Sequence, residues 1–315
     1  MFQFPSKMQR IFSDNELQDS FEEMGYVIVD FYTEEQMILL RDLYKSLHPQ
    51  DEMGFFPSTF SQDKNYRQQA DNKIREIASK RMQELFVNYQ EVCGSFIVKS
   101  PDPESGMCVH QDMSLVDESK FTGINIWSPL TDLTVQNGTI FILPKSHRFF
   151  PTYRGSSIPE FFSPVMDEII DFLEPVFISA GKAVIFDQSI IHFSPPNFSN
   201  QTRIVTNIFI TNDNAAFKTY FWDKQKSDSV EEFSQNRTFM TDFEQFGKNI
   251  HQRPQVGEFN GNVSYDFPLI NLAYLEANCT KTNARQLIQK VEEDYLKQNS
   301  KVKPKQKWWL KLFGK

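Results

Sequence analysis

Between about residue 93 and residue 212 the chain is written as a series of short apolar runs: SFIVK, CVHQD, GINIWSPL, TIFILP, PVFISA, AVIFD and RIVTNIFI. Turn-forming stretches such as PDPESG, VQNG, SAGK and PPNFSN separate them. Each run is too short for an ordinary amphipathic helix and is rich in β-branched and aromatic residues, which pack well on a pleated surface. Many such strands without helical crossovers predict an all-β barrel or sandwich and argue against alternating βαβ units. Residues 149–175 interrupt the series, and the sequence predicts a lid-like insertion there, with a short helix in PVMDEIIDFL.

The flanks read differently. Residues 1–92 are expected to pack on the β core as helices and one strand. Ser13 and Glu16 predict a capping box for a helix that ends at Met24, with Gly25 as its stop. YVIVDF follows as a strand. Thr33 and Gln36 predict a second capping box, opening a helix with Met37, Leu40, Leu43, Tyr44 and Leu47 on one stripe. The stripe Ala70, Ile74, Ile77, Ala78, Met82, Leu85 and Tyr89 predicts a longer helix over 66–91. After about residue 213 the strand pattern stops, so a helical extension over 213–315 is expected, with one helix near 283–298. A chain of 315 residues suits one large domain with additions, or two small ones. The expected class is mainly β with flanking helices (α+β).

Charge is unevenly spread. Residues 296–315 carry seven lysines and no acid; set against a net −8 for the whole chain, they leave −15 on the rest. So acidic a body argues against a nucleic-acid partner. The tail adds Trp308, Trp309, Leu310, Leu312 and Phe313 to its lysines. Residues 301–315 therefore predict either weak contact with an anionic membrane surface or a protein, or aromatics packed on the chain's own body. Three cysteines without a CxxC spacing fit a reducing compartment better than a disulfide framework. The amino-terminal residues lack a long apolar stretch, and no run of about 18 apolar residues occurs. No signal peptide or membrane span is expected, and the expected location is cytoplasmic. Walker A, Rossmann and GxSxG patterns are missing, leaving nucleotide-binding and hydrolase readings without support.

His110 and Asp112 stand two apart in a predicted strand, where residues i and i+2 share a face. One imidazole and one carboxylate can then reach the same point. A second histidine from a distant strand would complete a 2-His-1-carboxylate set, which leaves coordination positions open on Fe(II). The pair alone is a weak signal, since a packed or exposed histidine explains it equally well. Its weight comes from GKAVIFDQSIIHFSPPNFSNQTRIVTNIFI, where an apolar strand leads into His192 and Arg203 follows eleven positions later at the start of another strand. An arginine so placed can form a bidentate pair with a carboxylate, and Ser194 can add a hydrogen bond. A hairpin with an exposed Arg203 and a packed His192 is the competing reading.

The series HQD, Trp127 in GINIWSPL, QNGTIFILPKSHR, GKAVIFDQSIIH and Arg203, with GYVIVDFYTEEQ near the start, resembles the phytanoyl-CoA dioxygenase family over residues 14–212. The resemblance implies a double-stranded β-helix (jelly-roll, cupin-like) core over 93–212 that holds Fe(II) and 2-oxoglutarate. By it, His110, Asp112 and His192 are the catalytic metal ligands. Arg203 and Ser194 hold the distal carboxylate of 2-oxoglutarate, and Trp127 is a cosubstrate-site tryptophan. Asn137-Gly138 forms the turn before the LPKSH strand end, and His147 is structural. Lys145 departs from the family, which usually has glycine there. The implied activity hydroxylates an unactivated C–H bond of a small organic or acyl substrate, using O2 and releasing succinate and CO2. Asp112 disfavours the halogenating branch, which lacks the carboxylate. A metal dioxygenase that does not use 2-oxoglutarate and a non-catalytic β-barrel binding module stay open as alternatives. Cys108 is expected as a small apolar filler on the His110 face, Lys99 as a solvated lysine, and His48 and His251 as surface histidines.

Overall fold

The fold is described from a computed structural model covering residues 9–47, 54–149, 152–226, 228–242, 252–254 and 256–299. The chain opens with α1 (Asn15–Met24), β1 (Tyr26–Asp30), α2 (Glu34–Leu47), β2 (Phe55–Pro57) and α3 (Lys64–Leu85). Strands β3 (Tyr89–Lys99), β4 (Met107–His110), β5 (Ile124–Pro129), β6 (Phe141–Ile142), β7 (Glu174–Pro175), β8 (Lys182–Asp187), β9 (His192–Ser194) and β10 (Arg203–Asn212) form the centre. Then come β11 (Phe217–Phe221), β12 (Ser229–Gln235), α4 (Phe239–Asp242), β13 (Glu258–Ser264), α5 (Leu272–Asn278) and α6 (Ala284–Gln298).

From β3 to β10 the chain passes back and forth between two antiparallel sheets, the topology of a double-stranded β-helix. The larger sheet runs β1-β8-β5-β10-β3-β2, and the smaller runs β4-β9-β6-β7. Period-2 alternation gives the larger sheet two apolar faces with different tasks. On β10, Ile204, Ile208 and Ile210 pack outward with Ile74, Ala78 and Met82 of α3. Arg203, Asn207 and Phe209 turn inward and line a cavity. The outer face of the smaller sheet is covered by residues 161–173 together with α5 and α6, in a core that joins Phe141 and Phe193 to Phe162, Leu173, Leu275 and Ile288.

Several boundaries differ from the sequence expectation. The first helix is capped by Asp14, whose side chain accepts from the Leu17 amide, while the Ser13 hydroxyl donates to the Glu84 carbonyl. Gly25 ends that helix at φ 81°, and a Cβ there would collide with the His147 ring. The Thr33–Gln36 box is reciprocal, as expected. Helix α3 stops at Leu85 rather than at 91, because Asn88 turns at φ 51° and Tyr89 starts the long strand paired to β10. The insertion holds two short 3-10 turns, Ser163–Val165 and Glu168–Phe172, packed into the core described above. PVFISA contributes only Pro175 to a strand. Strands also do not stop near 213: β11, β12 and β13 form a separate antiparallel sheet, with α6 following where a helix was expected. His48, His251 and the tail 301–315 lie outside the described residues. No helix among the described residues is long and apolar enough to cross a membrane.

Candidate metal centre and anion clamp

Strand β4 ends at His110, so Asp112 stands just beyond it rather than within it. Register nevertheless brings the three groups together, because His110 faces His192 directly across the β4–β9 pair. Ligand atoms of His110, Asp112 and His192 all lie within 4.8 Å of one another. His110 Nε2 is 3.6 Å from Asp112 Oδ1, and His192 Nε2 is 3.9 Å from Asp112 Oδ2. His110 Nδ1 is 2.8 Å from the Cys108 carbonyl, and His192 Nδ1 is 3.0 Å from the Ile190 carbonyl. A carbonyl only accepts, so each Nδ1 carries the proton and each Nε2 turns a lone pair toward the carboxylate. That is the tautomer a metal ligand needs.

Electrostatics agree with this arrangement at Asp112 and His192. Burial opposes charge on Asp112, but His192 and His110 override it and hold the carboxyl below its usual value. Burial and the neighbouring His110 push His192 down to about 4, so it stays neutral at physiological pH. Burial likewise opposes charge on His110, but Asp112 wins and raises it. The Asn125 amide donates to Asp112 Oδ2 at 2.7 Å, and Asn207 in turn donates to Asn125 at 2.8 Å. Neither asparagine was singled out from the sequence, since a lone Asn in a strand carries no motif. Their inward positions on β5 and β10 were the available signal.

The same cavity, of about 380 Å³, reaches Arg203, Ser194 and Trp127. Arg203 is 1% exposed, so the exposed-hairpin reading fails. Its guanidinium lies 5.3 Å from the Trp127 ring centroid and donates to the Gly138 carbonyl. Its Nε has no partner, and among the described residues no carboxylate forms an ion pair with it. Gly138 adopts φ 77°, with Pro195 O only 2.5 Å from where a Cβ would sit, so the carbonyl that receives Arg203 requires glycine.

Lys99 corrects the expectation of a solvated lysine. It is fully buried opposite Arg203 on the paired strands, and its ammonium donates to the Ser194 and Pro195 carbonyls at 2.8 and 2.5 Å. Cys108 does not line the cavity; the irregular β4–β9 register brings Met107 there instead. His147 Nε2 donates to the Glu22 carbonyl at 3.1 Å, apart from the three-residue group. Lys145 holds the left-handed conformation at φ 65°, which is where a glycine would sit without strain.

A donor set of two imidazoles and one carboxylate suits Fe(II), Mn(II) or a similar divalent ion. A buried guanidinium without a carboxylate suits an organic anion. The sequence profile of the family described as Phytanoyl-CoA dioxygenase (PhyH) matches residues 21–205, more than half of the chain. Among curated proteins, the phytanoyl-CoA dioxygenase domain-containing protein 1 homolog of Dictyostelium discoideum is 28% identical over 128 residues. That match spans 38% of this chain and 46% of the relative, less than half its length. Among solved structures, EvdO2 from Micromonospora carbonacea var. aurantiaca, complexed with 2-oxoglutarate, is 20% identical with a TM-score of 0.44, over 67% of this chain and 94% of that one. HygX from Streptomyces hygroscopicus, with nickel and 2-oxoglutarate bound, is 14% identical with a TM-score of 0.48, over 64% and 88%.

Proposed function

The chain belongs to the phytanoyl-CoA dioxygenase family, and from that premise we propose that it is an Fe(II)- and 2-oxoglutarate-dependent dioxygenase. It hydroxylates an unactivated C–H bond of a small organic or acyl substrate, with release of succinate and CO2. One observation carries the reading: a metal-competent donor set and a buried guanidinium with no ion-pair partner among the described residues open onto one cavity.

Iron(II), held by His110, Asp112 and His192, would supply the redox chemistry with O2 and 2-oxoglutarate. The chain's own groups do the rest. The Cys108 and Ile190 carbonyls fix the two imidazoles, and Asn125 fixes one oxygen of Asp112. Arg203, steadied by the Gly138 carbonyl and the Trp127 ring, takes the distal carboxylate of 2-oxoglutarate with help from Ser194. Ile97, Phe186 and Phe209 line the space between with apolar surface and exclude water.

Turnover of 2-oxoglutarate to succinate with Fe(II) and O2 tests this, with wild type measured beside His110→Ala and Arg203→Ala. Both variants should lose succinate formation, with His110→Ala losing metal binding and Arg203→Ala losing only 2-oxoglutarate binding. Wild type that neither binds 2-oxoglutarate nor exceeds His110→Ala in succinate would overturn the reading. Metal binding without 2-oxoglutarate binding would favour a dioxygenase that uses another cosubstrate.

A further inference from the structure

The space around the metal-competent group is divided. On the side of the 149–175 insertion, a second chamber of about 220 Å³ shares Met107, His110, Gln111 and Met113 with the first. Its outer wall has its own chemistry. Tyr153, Phe161 and Tyr265 supply ring surface, with Tyr153 and Tyr265 edge to face at 5.4 Å. Glu160 adds a carboxylate.

The charged groups in this wall are unequally partnered. Arg154 is already matched: its two Nη atoms donate to the Glu118 carboxylate at 2.6 and 2.5 Å, and its Nε donates to the Asp112 carbonyl at 2.7 Å. Glu160 accepts only a long bond from the Gln111 amide, at 3.5 Å, and makes no ion pair among the described residues. The chamber therefore offers a buried carboxyl with no ion-pair partner among the described residues, whose charged form burial opposes, beside aromatic rings, and its arginine is spoken for. A carboxylate and ring surface in an enclosed space attract a cationic nitrogen, by charge and by the ring quadrupole together.

We propose that the substrate carries a cationic nitrogen group, held by Glu160 against Tyr265 and Tyr153 in the second chamber while the carbon to be oxidised lies in the first. The proposal rests on the oxygenase reading above. It also explains how two ligands sort themselves around one metal. Arg203 draws a carboxylate to one end and repels a cation, whereas Glu160 does the reverse at the other.

The test uses the full chain loaded with Mn(II) and 2-oxoglutarate, titrated by calorimetry with choline and with its neutral isostere 3,3-dimethyl-1-butanol. Wild type should prefer choline by about tenfold or more. Glu160→Gln should lose that preference while 2-oxoglutarate affinity stays within about twofold, since charge alone has been removed. Tyr265→Leu, a second probe that leaves the carboxylate in place, should weaken choline about threefold. Equal affinity of wild type for the two probes, or a preference unchanged in both variants, would overturn the proposal and leave the oxygenase reading standing. Should wild type fail to bind Mn(II) and 2-oxoglutarate, the oxygenase reading falls instead. The same titration on the unloaded chain then decides the proposal: a Glu160-dependent preference for choline supports the cation site, and no preference overturns it.

Discussion

At one end of the main cavity His110 and His192 favour the charge of Asp112; at the other, Arg203 and Lys99 lie buried and, among the described residues, make no ion pair with a carboxylate. At the first end burial opposes the Asp112 carboxylate, but two imidazoles outweigh it. At the second, burial opposes both cations, and the two also repel each other. Only the second end is held in a state that an incoming anion would relieve. The comparison teaches that the metal end surrounds one carboxylate with groups that favour its charge, whereas the clamp end keeps charge unmatched at some cost to the fold.

The strongest way to break this comparison is Arg203→Met. Truncating one partner of a buried charge pair costs 2-oxoglutarate affinity about a hundredfold or more, while removing an unmatched charge leaves the thermal midpoint unchanged or raised. Calorimetry and thermal unfolding read the two effects, and a large drop in midpoint would mean that Arg203 is structural. Next comes Asn125→Ala at the metal end. It should weaken Mn(II) binding about ten- to hundredfold, the usual effect of losing a group that orients a ligand. Unchanged metal affinity would remove Asn125 from the site.

The smallest effect concerns Lys99. Its folded value lies well below the ordinary lysine value, because burial and then Arg203 disfavour its charge. Between the folded value and the ordinary one, the unfolded chain holds the proton and the folded chain does not. Stability should therefore rise with pH across that window, by at most about 1.4 kcal/mol per pH unit for this group. Urea midpoints between pH 8 and 10 should climb less steeply for Lys99→Met than for wild type. Parallel slopes would show that Lys99 keeps its proton in the fold.

The parts of the fold with regular patterning were legible in the sequence. Alternation along RIVTNIFI and AVIFD gives the two faces of the larger sheet, and His192 with Arg203 marks the candidate site before any geometry is known. What was missed lacks periodicity. Strand β9 has only three residues. Strands β11–β13 are polar on one side, as SVEEFSQ and EFNGNVS show, so they read as loop. Tyr89 continues the α3 stripe by spacing alone, and only the turn at Asn88 reveals that the helix has ended. The burial of Lys99 depends on carbonyls at Ser194 and Pro195, nearly a hundred residues later. Glu160 stands in no motif; its meaning comes from Tyr265 and His110, contributed by distant segments.

The position of β10 has a consequence for the order of assembly. It lies between β5 and β3, so the larger sheet is in two pieces until residues 203–212 have been synthesised. Such non-local pairing is slow, and it leaves two strand edges open on the growing chain. A nascent chain that has reached Asp187 holds His110 and Asp112 but has neither His192 nor the strand that joins its halves. Arg203, the first residue of that strand, is thus both the clamp and the start of the last piece of the sheet to arrive, so anion affinity should emerge only once the sheet has closed.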